Sequence, residues 1–159
     1  MTPMLGPDFP DFKDYTVVEE SYAGTATVVF RGRRREDGAK VAIKIPRSEL
    51  PSPADTERIA REYALLKRLQ IRGVPRPSPS KRHGSRLALI MEELPGRPLR
   101  HVLRVKRLDI ETILRIGASL AGVLGTLHRI GVVHRDIKPE NILVDTATWG
   151  QSRRIVSTL

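Results

Sequence analysis

The chain contains no cysteine. That absence excludes a disulfide-stapled scaffold, a thiolate metal site and a cysteine nucleophile, and it suits a cytoplasmic protein. Aromatic residues are scarce, at 4% of 159 residues. None is interleaved with the basic runs, so a stacking platform for single-stranded nucleic acid has little support. No uninterrupted apolar run approaches the ~18 residues a membrane span needs. The first residues, Met1-Thr2-Pro3-Met4, have neither a basic head nor an apolar run, so no secretory signal is expected. Acids are in deficit too, with 18 Asp+Glu against 28 Lys+Arg and a net charge of +10. What remains, 40% apolar and 29% charged residues, is the composition of a soluble globular protein. The length fits one ordinary domain.

The charge is unevenly placed. Residues 1–20 hold five acids and one base, Lys13, so the other 139 residues carry a net charge of +14. Basic groups cluster at residues 31–35, 67–76, 81–86 and 97–107. Such a surplus attracts anions, whether nucleic acid or nucleotide phosphates, or else forms a solvated Arg-rich surface. The second reading fits the absence of aromatic partners, and nucleic acid is not the expected ligand.

Strand signals fill the first half. Residues 16–34 alternate loosely and include the β-forming run Thr25–Phe30; Asp37-Gly38 supplies a tight turn, and residues 40–45 return as a strand. A helix is predicted next, capped by Ser52 with Pro53 in its first position, running to about Arg72 before Gly73 and Pro75. Ile59, Leu66 and Leu69 share one of its faces, and Glu62 sits among them. A carboxylate in an apolar stripe is costly without a cation, so the helix predicts a buried partner for Glu62. A second hairpin is suggested around His83-Gly84-Ser85. Its first strand crosses Pro77 and Pro79, which cannot donate ladder hydrogen bonds, and is expected to be poor or absent.

The second half reads as helical. A short helix near residues 99–105 precedes a long one, capped by Asp109 and ended by Gly131. Ile110, Ile113, Leu114, Gly117, Leu120, Ala121, Leu124 and Leu127 give the long helix a continuous apolar face. Short strands are expected at Val132-Val133 and at residues 142–144, with a polar loop between them. Strands first, then helices, make an α+β fold.

That loop, His134-Arg-Asp-Ile-Lys-Pro-Glu-Asn141, is the most informative segment. Asp136 offers a carboxylate to accept a proton, Lys138 an ammonium for a phosphate, and Asn141 an amide oxygen for a hard cation. The segment resembles the catalytic loop of protein kinases, and its Lys-Pro-Glu-Asn ending is similar to the serine/threonine class. The rest of the chain follows the kinase order. Val41-Ala-Ile-Lys44 resembles the strand that carries the ATP-anchoring lysine, with Lys44 on the α- and β-phosphates and Glu62 as its helix partner. Residues 91–94 resemble the hinge, with Met91 as gatekeeper and the backbone of Glu92 and Leu94 on the adenine edge. Val29, Ala42 and Leu143 match the positions that sandwich the base. The resemblance makes Asp136 the group that accepts or orients the substrate hydroxyl, puts Lys138 on the γ-phosphate and makes Asn141 a magnesium ligand. His134 and Arg135 become structural braces. ATP and magnesium are the implied cofactors, and the implied partner is a protein substrate or regulatory protein.

Counted back from Val29, the three glycines of the family's phosphate lid correspond to Tyr22, Gly24 and Thr27, so only Gly24 remains. Cβ atoms at the other two positions stiffen a lid that must close over phosphates. After Asp145 the pattern lapses. The nearest alignment puts residues 154–156 on the strand before the family's Asp-Phe-Gly and Ser157-Thr-Leu159 on that motif, where a serine replaces a metal-binding carboxylate. The implied division is an N-terminal extension (1–14), a small lobe and hinge (15–94), a partial large lobe with the catalytic loop (95–145) and a divergent tail (146–159). A chain that stops before the activation segment is expected to leave apolar surface of its long helix uncovered and to be weak or inactive as a kinase. A non-catalytic module binding nucleotide or a partner is the alternative.

Overall fold

The structure, a computed structural model, describes residues 9–145 and the backbone of 155–157. The expectations for Thr158, Leu159 and most of the divergent tail lie outside the described residues. The chain divides into two compact units; the described residues of the first are 9–68 and 76–93, and those of the second are 69–75, 94–145 and 155–157.

The first unit is a five-stranded antiparallel sheet. Its strands are β1 (Tyr15–Ala23), β2 (Thr27–Arg34), β3 (Lys40–Pro46), β4 (Pro77–His83) and β5 (Arg86–Glu92), in the order β1-β2-β3-β5-β4. Period-two alternation decides its two faces. Val28, Phe30, Val41, Ile43, Ile45, Ala88 and Ile90 bury one face against Phe12, Tyr15 and Val17. Phe9 packs on the same core, its ring 5.7 Å from that of Phe30. The interleaved residues Val29, Ala42 and Lys44 are half-buried on the opposite face, with Val29 directly across the ladder from Lys44 and Ala42 across from Met91.

Two expectations are corrected here. The strand through Pro77 and Pro79 does form, as β4. It lies at the sheet edge, and Pro79 falls within a register shift between Ser78 and Lys81, so no ladder bond is required of its missing N–H. The helix after β3, α1 (Pro53–Arg68), ends four residues before the predicted Arg72. Leu69 is buried just past its end, and the N–H of Val74 turns back to the carbonyl of Ile71. Its start is as read: Ser52 Oγ accepts from the Asp55 N–H at 3.2 Å, and Asp55 Oδ2 accepts from the Ser52 N–H at 3.1 Å, a reciprocal cap.

The second unit holds β6 (Arg97–Pro98), α2 (Leu99–Val105), α3 (Ile110–Arg129), β7 (Ile142–Val144) and β8 (Ile155–Ser157). β7 pairs antiparallel with both β6 and β8. Gly96, at φ +120°, lets the chain pass β7 closely: a Cβ there would lie 2.8 Å from the Val144 carbonyl carbon. Asp109 caps α3 by accepting from the Thr112 N–H at 2.7 Å. Among the described residues, one buried cluster joins Ile116, Ile142 and Val144, with Leu99, Leu108 and Leu120 packed against them, and Leu69, Val74, Val102 and Leu127 are buried as well.

The apolar face read along α3 needs correction. Ile116, outside that stripe, is buried with Leu127, while Ile110 and Leu114 are 69% and 65% exposed. The helix turns a narrower, rotated face inward, and the expected exposure of its outer surface is present. By length and composition α3 is apolar enough to cross a bilayer, a test that core helices also pass. No strand forms at Val132-Val133: the Val132 N–H bonds to Leu127 O at 2.9 Å, extending the helix cap, and Val133 is exposed.

Candidate active site

In the first unit, the chemistry gathers on the sheet face that carries Lys44. The Lys44 Nζ donates to both Glu62 oxygens, at 2.9 and 2.7 Å. The two side chains retain only 20% and 13% of their exposure, so the pair is largely withdrawn from water. It answers the sequence problem of a carboxylate in an apolar stripe, since β3 supplies the cation that α1 requires. Val29 and Ala42 flank Lys44 on this face. At the far end of the same ladder the Glu92 N–H bonds to Arg76 O at 2.9 Å and the Glu93 N–H to Lys40 O at 3.2 Å. The Glu92 amide is therefore committed to the protein. Arg31 Nε lies 3.1 Å from Glu93 and a further nitrogen lies 3.1 Å from Glu19, tying the strand end to β1.

Gly24 sits in the turn between β1 and β2. Its N–H donates to Thr27 O at 2.8 Å, and an added Cβ would stand 3.1 Å from the Tyr22 ring and 3.2 Å from Thr27 O. A side chain at position 24 would thus press on the Tyr22 ring and the Thr27 carbonyl, so the turn as it stands needs this glycine.

In the second unit, residues 134–141 fold into a closed polar cluster. His134 is buried, and its Nδ1 accepts from the Asp136 N–H at 3.2 Å. Arg135 takes φ +63°, a conformation costly for a residue with a Cβ and held here by the bonds around it. Asn141 Nδ2 donates to the Asp136 carbonyl at 2.9 Å and to its carboxylate at 2.8 Å, and Lys138 Nζ lies 2.8 Å from the same carboxylate. The Lys138 hydrogen bond is the main influence holding the Asp136 carboxyl below its ordinary 3.8, with Asn141 adding to it. Asp136 is thus an exposed, ionised acceptor near neutral pH. Asn141 spends its NH₂ on Asp136, and Oδ1 is the amide's remaining oxygen.

Leu143 is half-buried in the middle of β7, on the opposite side of the strand from buried Ile142 and Val144. Leu94 is half-buried at the start of this unit's main segment. The sequence reading missed the brace beneath the loop. The Arg100 N–H donates to Pro139 O at 3.1 Å, and its guanidinium pairs with Glu140, whose carboxyl is lowered chiefly by its own backbone N–H and then by Arg100. The acid inside an otherwise basic neighbourhood was the available signal.

The predicted residues thus fall into two sets: Gly24, Val29, Ala42, Lys44, Glu62 and Glu92 in one unit, and Leu94, Asp136, Lys138, Asn141 and Leu143 in the other. The first set fits a nucleotide, with a buffered cation for phosphate beside apolar residues for a base. Magnesium fits poorly. Asn141 supplies a neutral oxygen, but no group of three His, Cys, Asp or Glu side chains converges among the described residues. The backbone of residues 155–157 pairs with β7 where the resemblance put the strand before the metal ligand, with Ser157 opposite Ile142.

Comparison with known proteins agrees. The protein kinase domain family matches residues 15–155. Serine/threonine-protein kinase PkaB of Streptomyces coelicolor is 37% identical over 133 residues, covering 82% of this chain and 31% of that protein. PkaA of the same organism is 34% identical over 143 residues, covering 82% and 26%, and pkn2 of Myxococcus xanthus is 30% identical over 143, covering 89% and 17%. The chain therefore spans less than a third of the length of these curated relatives. With the lysine–glutamate pair, the braced His-Arg-Asp loop and the family match over most of its length, the chain belongs to the protein kinase domain family, in its serine/threonine branch.

Proposed function

We propose that the chain binds ATP on the Lys44 face of its sheet and carries the substrate-hydroxyl end of a serine/threonine kinase site on residues 134–141. The Lys44–Glu62 pair is the observation that carries this reading. An ammonium bonded to both oxygens of a carboxylate in a half-buried setting is held in place, as an anchor for α- and β-phosphates requires. Val29 and Ala42 supply apolar surface for the base on this face, and the Glu92 backbone its polar edge. Gly24 keeps the turn open to the phosphates. Lys138 steadies the γ-phosphate, and Asp136 accepts or orients the proton of a Ser or Thr hydroxyl on a protein substrate, a positioning role more than a covalent one. A cytoplasmic setting, with a protein substrate or regulatory protein as partner, completes the reading.

Ser157-Thr158-Leu159 supplies no carboxylate for a second metal contact, and this favours weak turnover by the chain alone. The same feature supports a second reading, a nucleotide- or partner-binding module without turnover. Radiolabelled phosphate transfer from Mg·ATP to a generic protein substrate tests both. Little transfer is expected. Transfer at an ordinary kinase rate that Asp136→Ala abolishes would overturn the weak-turnover reading and leave a competent kinase.

A further inference from the structure

The turn between β1 and β2 is held by a residue that the kinase resemblance does not assign. Arg47 follows the last residue of β3, three positions beyond Lys44. Its backbone N–H donates to the Ala26 carbonyl at 2.9 Å, and its guanidinium Nη1 donates to the Gly24 carbonyl at 3.1 Å. Together with the Gly24 N–H bond to Thr27 O, these contacts occupy both carbonyls at positions 24 and 26 and close the turn on itself. The side chain is exposed, so its contact with Gly24 is not a by-product of core packing.

A lid that has lost two of three glycines faces a specific difficulty. Tyr22 and Thr27 carry Cβ atoms on both sides of Gly24, and such a turn has fewer backbone conformations that bring its N–H groups to a phosphate. A clasp from the neighbouring strand fixes one of them in advance. We propose that Arg47 is a positioning residue for nucleotide, holding the Gly24 turn over the Lys44 face through the Gly24 carbonyl so that the turn need not be ordered when the triphosphate binds. This inference rests on the ATP-binding reading above, and it concerns the phosphates rather than the base. Ordering the turn in advance removes an entropy cost from triphosphate binding and leaves adenosine, which does not reach the turn, unaffected.

The test compares wild type with Arg47→Ala and Arg47→Lys by two measurements. Amide hydrogen exchange reads the clasp without any ligand: exchange at residues 24–27 is expected to rise in Arg47→Ala, while the β3–β5 ladder stays protected and reports an intact fold. Calorimetric titration reads the role. ATP is expected to weaken about tenfold in Arg47→Ala, as for loss of one charge-assisted hydrogen bond, with adenosine unchanged and Arg47→Lys in between. Unchanged exchange in Arg47→Ala would overturn the clasp. Faster exchange with equal losses for ATP and adenosine, or with no loss for ATP, would overturn the positioning role. Failure of wild type to bind either ligand, despite a normal exchange response, would instead overturn the ATP-binding reading and with it the role of the clasp, leaving a purely structural contact.

Discussion

In the five-stranded unit, Ile43, Leu89 and Ile90 have no exposed surface, whereas along α3 of the second unit Ile110 and Leu114 keep about two thirds of theirs. The contrast follows from what each unit can place against its own apolar groups. The sheet has Phe9 and Phe12 against one face, and α1 reaches the Lys44 face through Glu62. Among the described residues, the second unit sets short strands and α2 against α3 on its Ile116 side. Its polar loop is nevertheless as well organised as the sheet site, because hydrogen bonds among His134, Asp136, Lys138 and Asn141 are local and need little surrounding core. Order at a site and completeness of a core are thus separate properties here.

The sharpest way to break this comparison is truncation in the two cores. Ile43→Ala should cost about 3 kcal/mol by denaturant unfolding, the transfer and cavity cost of a fully buried isoleucine. An equal cost for Leu114→Ser would erase the distinction between the units. Next comes the ion pair. Glu62→Ala leaves the Lys44 ammonium withdrawn from water without its partner, and a loss of about 2 kcal/mol is expected. A loss below ~0.5 kcal/mol would show that the pair is as loosely held as a surface bridge.

A smaller effect is expected at Asp136. Its carboxyl is held below 3.8 mainly by Lys138, so the native chain takes up that proton less readily than the unfolded one. The cluster's contribution is therefore complete above the ordinary value and is lost as pH falls through the lowered one, below about pH 4. NMR titration should show Lys138→Ala moving the Asp136 midpoint upward, and an unmoved midpoint would remove Lys138 as the cause. Smallest of all is Leu114→Ser, expected within ~0.5 kcal/mol of wild type because the side chain is already mostly in water.

Much of the site was legible in the sequence because its signals are local or conflict with their surroundings. Glu62 in an apolar stripe demanded a cation, and Lys44 meets it at 2.7 Å. The 134–141 segment announced its own cluster. Less legible were features set by neighbours in space. Pro77 and Pro79 read as strand breakers, since nothing in the sequence says that β4 is an edge with a shifted register. Along α3 the periodicity marked a wide stripe that could be buried, but which side meets β7 depends on strands distant in sequence. Arg47 acts through a backbone carbonyl, and an arginine near a carbonyl has no sequence signature.

The most direct measurement is a thermal-shift titration with ATP, with and without magnesium, on wild type and Lys44→Ala. A saturable upward shift in Tm is expected for wild type and is lost in Lys44→Ala, because Lys44 is the proposed anchor for the α- and β-phosphates. An equal shift in both proteins would contradict it.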